Sequence, residues 1–306
     1  MIGALDSRND FKEFLKWFDR EEAAELRANK NAADDQYVPS VALDALREAM
    51  KTLIGQGFGS PYFNREHKFV IEPEDGGAPL LVTQLSQGYQ SMLALGMDFA
   101  RRLALANSHL DYGNADSIAE ALAQVTEACS DIENMELPIS APLIAPAIML
   151  VDEIDLHLHP IWQQRVLTDL MRAFPNTQFI VTTHSPQVLT SVDASCVRII
   201  KEIPDAATEK QMTVAEGVTQ QIKGVPSSDV LSDIMGANPV PPVQESAWLA
   251  DYIAKIENAT HGDVEGVALR RKLEDHFGAH HPLILDADRL IRFQAFKLHR
   301  NSTAHG

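Results

Sequence analysis

The amino-acid sequence predicts an α/β fold in which a parallel sheet is flanked by helices, with further helical segments before and after it. Two apolar runs, 147–151 and 178–182, have the length of strands, and a stretch of helical periodicity lies between them. Another helical stretch and a third apolar run, 197–200, follow. Strands that alternate with helices favour a parallel sheet with helices packed against it.

Two helices and a hairpin are predicted before this alternation. Apolar residues recur at helical spacing over 11–28 and again over 43–53. The polar stretch 29–40 between them predicts a loop. The segments 67–71 and 80–82 predict the two strands of a hairpin, because the residues that separate them are rich in glycine and proline.

The boundaries of the central elements can also be predicted. Ser86 is a suitable N-cap for a long helix that ends near Asn107. The strand Ala147–Val151 is apolar throughout, which is typical of a strand buried on both faces. Pro160 is typical of a first helical turn, and the helix that it opens is predicted to end at Pro175.

A proline cluster at 239–242 separates the sheet region from a C-terminal segment with helical periodicity. We therefore predict three parts: a helical segment over 1–66, a sheet-bearing lobe over 67–236 and a helical appendix over 237–306. The chain has 306 residues, of which 45% are apolar, so it is long enough to build real cores.

The composition limits the location and the partners. No run approaches the roughly 18 apolar residues of a membrane helix, and the N-terminus lacks the form of a signal peptide, so a cytoplasmic protein without a membrane segment is predicted. The net charge of −17 disfavours nonspecific binding of nucleic acid by the chain as a whole. Basic clusters at 270–272 and 297–300 are typical of solvated helix faces, and direct nucleic-acid binding by a local basic groove stays open.

The first motif is Leu85-Ser86-Gln87-Gly88-Tyr89-Gln90, at the predicted start of a helix. A helix N-terminus offers free backbone amides and the positive end of the helix dipole. Gly88 would let a phosphate approach the backbone, and Ser86 would add a hydroxyl. The same pattern is also typical of simple helix capping.

The second motif is the pair of acids that ends the first apolar strand. Asp152 is suited to hold a magnesium ion through water, and Glu153 to polarise a water that attacks phosphorus. Ligands commonly lie at the carboxyl ends of parallel strands. The alternative is that both side chains simply point into solvent from a loop.

The third motif, Thr182-Thr183-His184-Ser185-Pro186, follows the second apolar strand. His184 comes one helix and one return strand after Glu153, which predicts that it lies beside the carboxylates. An imidazole there can donate to a phosphate oxygen or to the attacking water. A purely structural histidine is the alternative.

Taken together and in this order, the motifs resemble the ATP-binding-cassette ATPase superfamily, and within it the SMC/RecF-like branch, including bacterial AAA-type proteins and the ATPase subunits of Septu-like antiphage systems. The matching segments are Leu85 to Gln90 for the signature motif, Ile148 to Glu153 for Walker B, Asp155 for the D-loop and His184 for the switch histidine.

This resemblance implies an incomplete head of the P-loop NTPase type that hydrolyses ATP with Mg²⁺. Two heads would form a head-to-tail homodimer around composite sites. Glu153 and His184 would be catalytic, Asp152 would hold Mg²⁺, and Asp155 would couple the two sites. The signature residues of the other head would contact the nucleotide: Ser86, Gln87, Gly88 and Gln90. An effector protein such as a nuclease is the implied partner, in antiphage defence or DNA repair.

The sequence departs from the family in one respect. No GxxxxGK[ST] segment occurs, and Gly55 to Ser60, although rich in glycine, has neither a lysine nor a preceding buried strand. The family's phosphate loop precedes the helical insertion, to which we assign 1–66. We therefore expect that the phosphate-binding lobe lies upstream or on another chain, and that these 306 residues alone hydrolyse ATP poorly.

Two other functions fit the same residues. One is a noncatalytic dimerisation or interaction module derived from such an ATPase. The other is a metal hydrolase with Asp152, Asp155, His157 and His159 as ligands, although the alternating histidines are more typical of a structural loop.

Overall fold

The protein is described by a computed structural model, which covers residues 7–31, 37–55, 57–107, 140–204 and 211–303. The chain divides into two compact units, Met1–Val230 and Leu231–Gly306. Each unit has its own apolar core.

Within the described part of the N-terminal unit, three long helices pack together: α1 (Ser7–Ala28), α2 (Val41–Ile54) and α3 (Gln87–Ala106). All three confirm the helices predicted from periodicity. Gly96 lets α3 lie close to α2, since a β-carbon there would come within 2.1 Å of Leu53 Cδ1. The side chains that this packing buries most completely are Phe18, Leu46, Met50, Leu53, Leu93 and Met97.

An ion pair between Arg47 and the buried Glu25 links α1 to α2. Both guanidinium nitrogens of Arg47 donate to the Glu25 carboxylate, at 3.2 and 2.8 Å, and the Ser40 amide donates to it at 2.8 Å. The Glu25 side chain is only 1% exposed. Burial alone raises the pKa of Glu25, but the hydrogen bonds from Arg47 and Ser40 outweigh it, so this pKa lies below its ordinary value.

A small antiparallel sheet lies beside these helices, in the order β1 (Tyr62–Phe63), β2 (Phe69–Ile71), β3 (Leu80–Leu81). The pairing of β2 with β3 confirms the predicted hairpin, and β1 adds a strand that the sequence did not predict. The rings of Phe63 and Phe69 contact the ring of Phe18 in α1, Phe63 in a tilted and Phe69 in an edge-to-face arrangement. These contacts join the small sheet to the main core.

The parallel sheet consists of β4 (Ala147–Val151) and β5 (Thr177–Val181), in register from Ala147↔Thr177 to Val151↔Val181. A short helix, α4 (Ala141–Ile144), precedes it. Instead of the single helix predicted from Pro160, two helices connect the strands, α5 (Pro160–Gln163) and α6 (Val166–Ala173).

The prediction that β4 is buried on both faces was wrong. Ile148 and Leu150 are 61% and 75% exposed, and Ile180 of β5 is 51% exposed. On the inward face Met149 is buried, and Val151 and Phe179 pack against the core. Parallel sheets are normally covered on both faces, so this sheet presents one apolar face without cover from the described residues.

The third predicted strand does not join the parallel sheet. It forms β6 (Arg198–Pro204), after the short helix α7 (Pro186–Leu189), and pairs antiparallel with β7 (Gln211–Gly217) in a separate ribbon. The predicted β-α-β-α-β run is therefore correct only for its first two strands among the described residues. Helix α8 (Ser227–Asp233) follows β7.

The C-terminal unit contains three helices, α9 (Gln244–Glu257), α10 (Val264–Phe277) and α11 (Pro282–Thr303). Tyr252, Ile256, Leu273 and Ile284 form its centre. Arg270 of α10 binds Asp288 of α11 through both guanidinium nitrogens, which fixes these two helices to each other. No helix among the described residues is long and apolar enough to cross a membrane.

Candidate active site

The carboxyl ends of β4 and β5 bring together two of the predicted motifs. Asp152 and Glu153 follow β4 directly, and Thr182 follows β5 directly. The Thr182 hydroxyl donates to the Asp152 carboxylate and accepts a hydrogen bond from the Glu153 amide at 2.8 Å. A threonine thus bridges the two acids, a role that the sequence motif does not indicate.

Glu153 has an unusual backbone. Its φ is +50°, in the left-handed region that residues with a side chain seldom occupy. The hydrogen bond from its amide to Thr182, and the one from the Ile154 amide to the Thr182 carbonyl at 3.0 Å, hold this turn. Left-handed residues other than glycine cluster at functional sites, where the surrounding structure maintains them.

Asp155 connects the loop after β4 to the histidine loop after β5. Its carboxylate accepts hydrogen bonds from the Thr183 hydroxyl and from the His184 amide, the latter at 3.2 Å. The backbone of His184, an exposed residue, is therefore held at the same end of the sheet as Asp152 and Glu153.

A second bridge runs through Gln163 of α5. Its amide donates to the Leu158 carbonyl at 2.9 Å, and its carbonyl oxygen accepts from the buried Ser185 hydroxyl at 2.7 Å. Ser185 also caps α7 by accepting from the Gln187 amide at 3.1 Å. Nothing in the sequence pattern distinguishes Gln163 from any other polar residue of a short helix.

The signature segment lies against the loop after β4 of its own chain. Helix α3 begins at Gln87, directly after Ser86 as predicted, and the Gln90 side chain donates to the Leu85 carbonyl at 2.6 Å. Gly88 is buried, and a β-carbon there would lie 2.1 Å from the His157 carbonyl oxygen. Close packing against His157 therefore requires glycine at position 88, a requirement that the sequence pattern does not indicate.

The metal-hydrolase alternative gains no support from this geometry. Within the described ranges, no three His, Cys, Asp or Glu side chains converge as a metal site. His159 Nδ1 accepts a hydrogen bond from the Ile161 amide at 3.3 Å and so caps α5, while Asp155 is engaged by Thr183 and His184.

Gly55 and Gly57 do not form a phosphate-binding turn with a following helix. Gly55 instead ends α2 with a φ of +91°, and its amide donates to the Lys51 carbonyl at 3.2 Å.

The parallel strands with their acidic and histidine-bearing carboxyl ends fit an α/β domain of the P-loop NTPase type. The family model described as "AAA domain, putative AbiEii toxin, Type IV TA system" matches residues 4–190, so the chain belongs to this AAA family.

Relatives of the chain include the "Retron Ec83 probable ATPase" of Escherichia coli, 30% identical over 281 residues, which are 91% of this chain and 44% of the relative. The "Septu protein PtuA" of Bacillus mycoides is 45% identical over 58 residues, which are 19% of this chain and 8% of that protein. A solved SMC ATPase structure aligns over 58% of this chain and 84% of its own, with 17% identity and a TM-score of 0.32. The chain thus spans less than half the length of the curated relatives that it matches.

Proposed function

We propose that this chain supplies the catalytic carboxylates and the signature segment of an ATP-hydrolysing AAA-family protein. The observation that carries the proposal is the convergence of Asp152, Glu153 and His184 at one edge of the sheet, linked by Thr182 and Asp155. The family assignment and the relatives named as probable ATPases support the same conclusion.

Each residue has a definite role in this proposal. Glu153 orients the attacking water and accepts its proton, which is the ordinary role of a general base. His184 donates a hydrogen bond to the γ-phosphate, where negative charge must be stabilised in the transition state. Ser86, Gln87, Gly88 and Gln90 contact the nucleotide held by a second head, and Asp155 links the two sites.

Mg²⁺ fits the oxygen donors beside Glu153. The Asp152 carboxylate and the Thr182 hydroxyl lie together at the strand ends, and carboxylates and hydroxyls are the donors that Mg²⁺ prefers. When bound, the ion would offset the charge of the β- and γ-phosphates. Asp152 would hold it through water.

We further propose that a phosphate-binding element outside these 306 residues completes the site, upstream or on another chain. The sequence contains no GxxxxGK[ST] segment. The sheet face that the described residues leave exposed supports this proposal, because Ile148, Leu150 and Ile180 form an apolar surface that a covering element would bury. Burial of such a face contributes roughly 25 cal/mol per Å² of apolar surface.

The wider function follows from the relatives. Their names point to retron and Septu systems, and we propose that the complete protein is cytoplasmic, works as a head-to-tail homodimer and drives an effector such as a nuclease in antiphage defence. A noncatalytic interaction module is the second candidate, and the same exposed sheet face favours it, since an apolar surface can serve binding without turnover.

ATP hydrolysis by the 306-residue chain, compared with the chain extended upstream in its gene, separates the two candidates. The proposal predicts turnover and magnesium-dependent ATP binding by the extended chain, and little of either by the shorter one. If the upstream sequence holds no phosphate loop and neither chain binds ATP, even with its partner proteins present, the interaction module stands instead.

A further inference from the structure

One side of helix α11 combines cations with aromatic rings. One side of this helix carries a set of residues in which each member has another three or four positions away, as same-side residues do: Arg289, Arg292, Phe293, Phe296 and Lys297. We call this surface the basic–aromatic face.

The basic–aromatic face points away from the core of its unit. Ile284 and Ala287 are buried on the opposite side of α11, where Ile291 also packs. Phe293 and Phe296 are 53% and 63% exposed. Contiguous exposed apolar surface is a mark of binding sites.

The cations of this face are largely available to a ligand. Arg289 has an ion pair with Asp286 at 2.6 Å, but these side chains are 71% and 61% exposed, and exposed pairs of this kind are weak. The Lys297 ammonium lies 4.5 Å from the centre of the Phe293 ring. From residue 289 to the C-terminus the sequence contains four basic residues and no acidic one.

The C-terminal unit is far less acidic than the chain as a whole. The whole chain carries −17, but residues 231–306 contain ten acidic and eight basic side chains, so the C-terminal unit by itself is almost neutral. The other basic cluster, at 270–272, is different, because Arg270 is bound to Asp288 and Glu274.

From this geometry we infer that the basic–aromatic face binds single-stranded nucleic acid. Its cations pair with phosphates, and its rings stack on bases, which is the combination that single-strand-binding surfaces use. A ligand that alternates negative charge with flat apolar surface matches an alternation of cations and rings. Duplex DNA hides its bases within the stack, so it offers phosphates alone.

The inference does not depend on ATP hydrolysis, since α11 belongs to the C-terminal unit and the proposed catalytic residues to the other. It explains how an acidic chain can hold a polyanion through one local surface. Because that contact is electrostatic, the binding is sensitive to salt.

Fluorescence anisotropy with a labelled oligothymidylate of roughly 20 nucleotides tests the inference on the 306-residue chain. We expect saturable binding that weakens between about 50 and 200 mM salt. Phe293→Ala weakens it about fivefold or more, as expected for one lost stacking contact. Arg292→Glu weakens it as well and reduces the slope of log K against log salt by about 0.7.

Arg271→Glu is the matched control. This arginine is 85% exposed on the neighbouring helix α10 and lies outside the basic–aromatic face. Its reversal leaves the affinity within about twofold, because the contact is local. Circular dichroism on each variant confirms that the helices are intact.

Three results would overturn the inference. The first is no saturable binding at low salt. The second is equal weakening by Arg271→Glu and Arg292→Glu, which would show a general charge effect. The third is tight binding of polyglutamate without binding of the oligonucleotide, which would make the face a site for an acidic protein.

Discussion

The backbone of Gly88, at the start of α3, lies directly against the backbone carbonyl of His157 in the loop after β4. A β-carbon at position 88 would meet that oxygen at 2.1 Å, and neither backbone can yield as a flexible side chain would. The signature segment and the loop of Asp155 are therefore in contact within one chain, whatever a second chain adds.

Gly88→Ala is expected to destabilise the protein by about 1–3 kcal/mol, the range for overpacked sites. Chemical denaturation of the N-terminal unit measures the loss. Gly262→Ala is the control, because a β-carbon at Gly262 would meet nothing within 4 Å. An unchanged midpoint for Gly88→Ala would mean that this contact is looser than described.

The bridge through Gln163 should matter for the geometry of the site more than for stability. Gln163→Leu keeps the size of the side chain but removes its hydrogen bonds to Leu158 and Ser185. We expect faster hydrogen exchange of the amides in 155–158 and, in an active ATPase, a kcat reduced about tenfold with little change in KM. Gln164→Leu, which changes an exposed residue directly after α5, is the control. Equal exchange rates in wild type and Gln163→Leu would remove the proposed positioning role.

The buried pair of Glu25 and Arg47 predicts sensitivity to acid. The pKa of Glu25 is lowered in the folded state, so its contribution to stability is fully present above the unfolded value of 4.5 and is lost as the pH falls through the folded pKa. Glu25→Gln should cost about 2–3 kcal/mol at pH 7, as expected for hydrogen bonds to a charged group. The difference in unfolding free energy between wild type and Glu25→Gln should shrink below pH 4.5. A constant difference across this pH range would contradict the assignment.

The carboxyl group of Asp169 in α6 should have the opposite effect, so that its contribution to stability falls as the pH rises. Burial raises its pKa above 3.8, despite Arg165 at 3.4 Å and Arg172 at 3.9 Å, and its Oδ2 lacks a hydrogen bond among the described residues. A raised carboxyl pKa means that the folded state binds the proton more tightly, so this group's contribution falls as the pH rises above 3.8. The stability of Asp169→Asn relative to wild type should therefore improve from pH 4 to pH 7. Urea titrations of both proteins at several pH values measure the trend, and a relative stability that worsens over this range would reverse our assignment.

Helical periodicity predicted α1, α2 and α3 well, because each helix buries one stripe of its surface. The carboxyl ends of β4 and β5 were also predictable, since polar residues follow two apolar runs directly. The exposure of one face of β4 could not be predicted. An apolar run such as Ile148 to Val151 shows that a strand can be covered, but it does not show which element covers it. The antiparallel pairing of β6 was not predicted either. Its partner β7 is largely polar, so its sequence does not indicate a strand.

The supporting residues of the site were harder to predict than its acids. Thr182 acts through hydrogen bonds to residues 29 and 30 positions away, and the hydrogen bond between Ser185 and Gln163 spans 22 positions. Spacing in the sequence gives no sign of such contacts, which depend on how α5 and the two loops pack. The backbone of His157 is another example. Its φ of +63° lies in the left-handed region, and the surrounding sequence does not predict this conformation.

The role of Glu153 can be measured as turnover of ATP by the form of the protein that contains a phosphate loop, with and without Glu153→Gln. We expect a loss of at least about 100-fold in kcat, the usual scale for a general base, together with an ATP-bound dimer that light scattering detects. Glu257→Gln, which changes a carboxylate in the C-terminal unit, should retain the wild-type rate. Undiminished hydrolysis by Glu153→Gln would show that the acids at the end of β4 do not form the catalytic site.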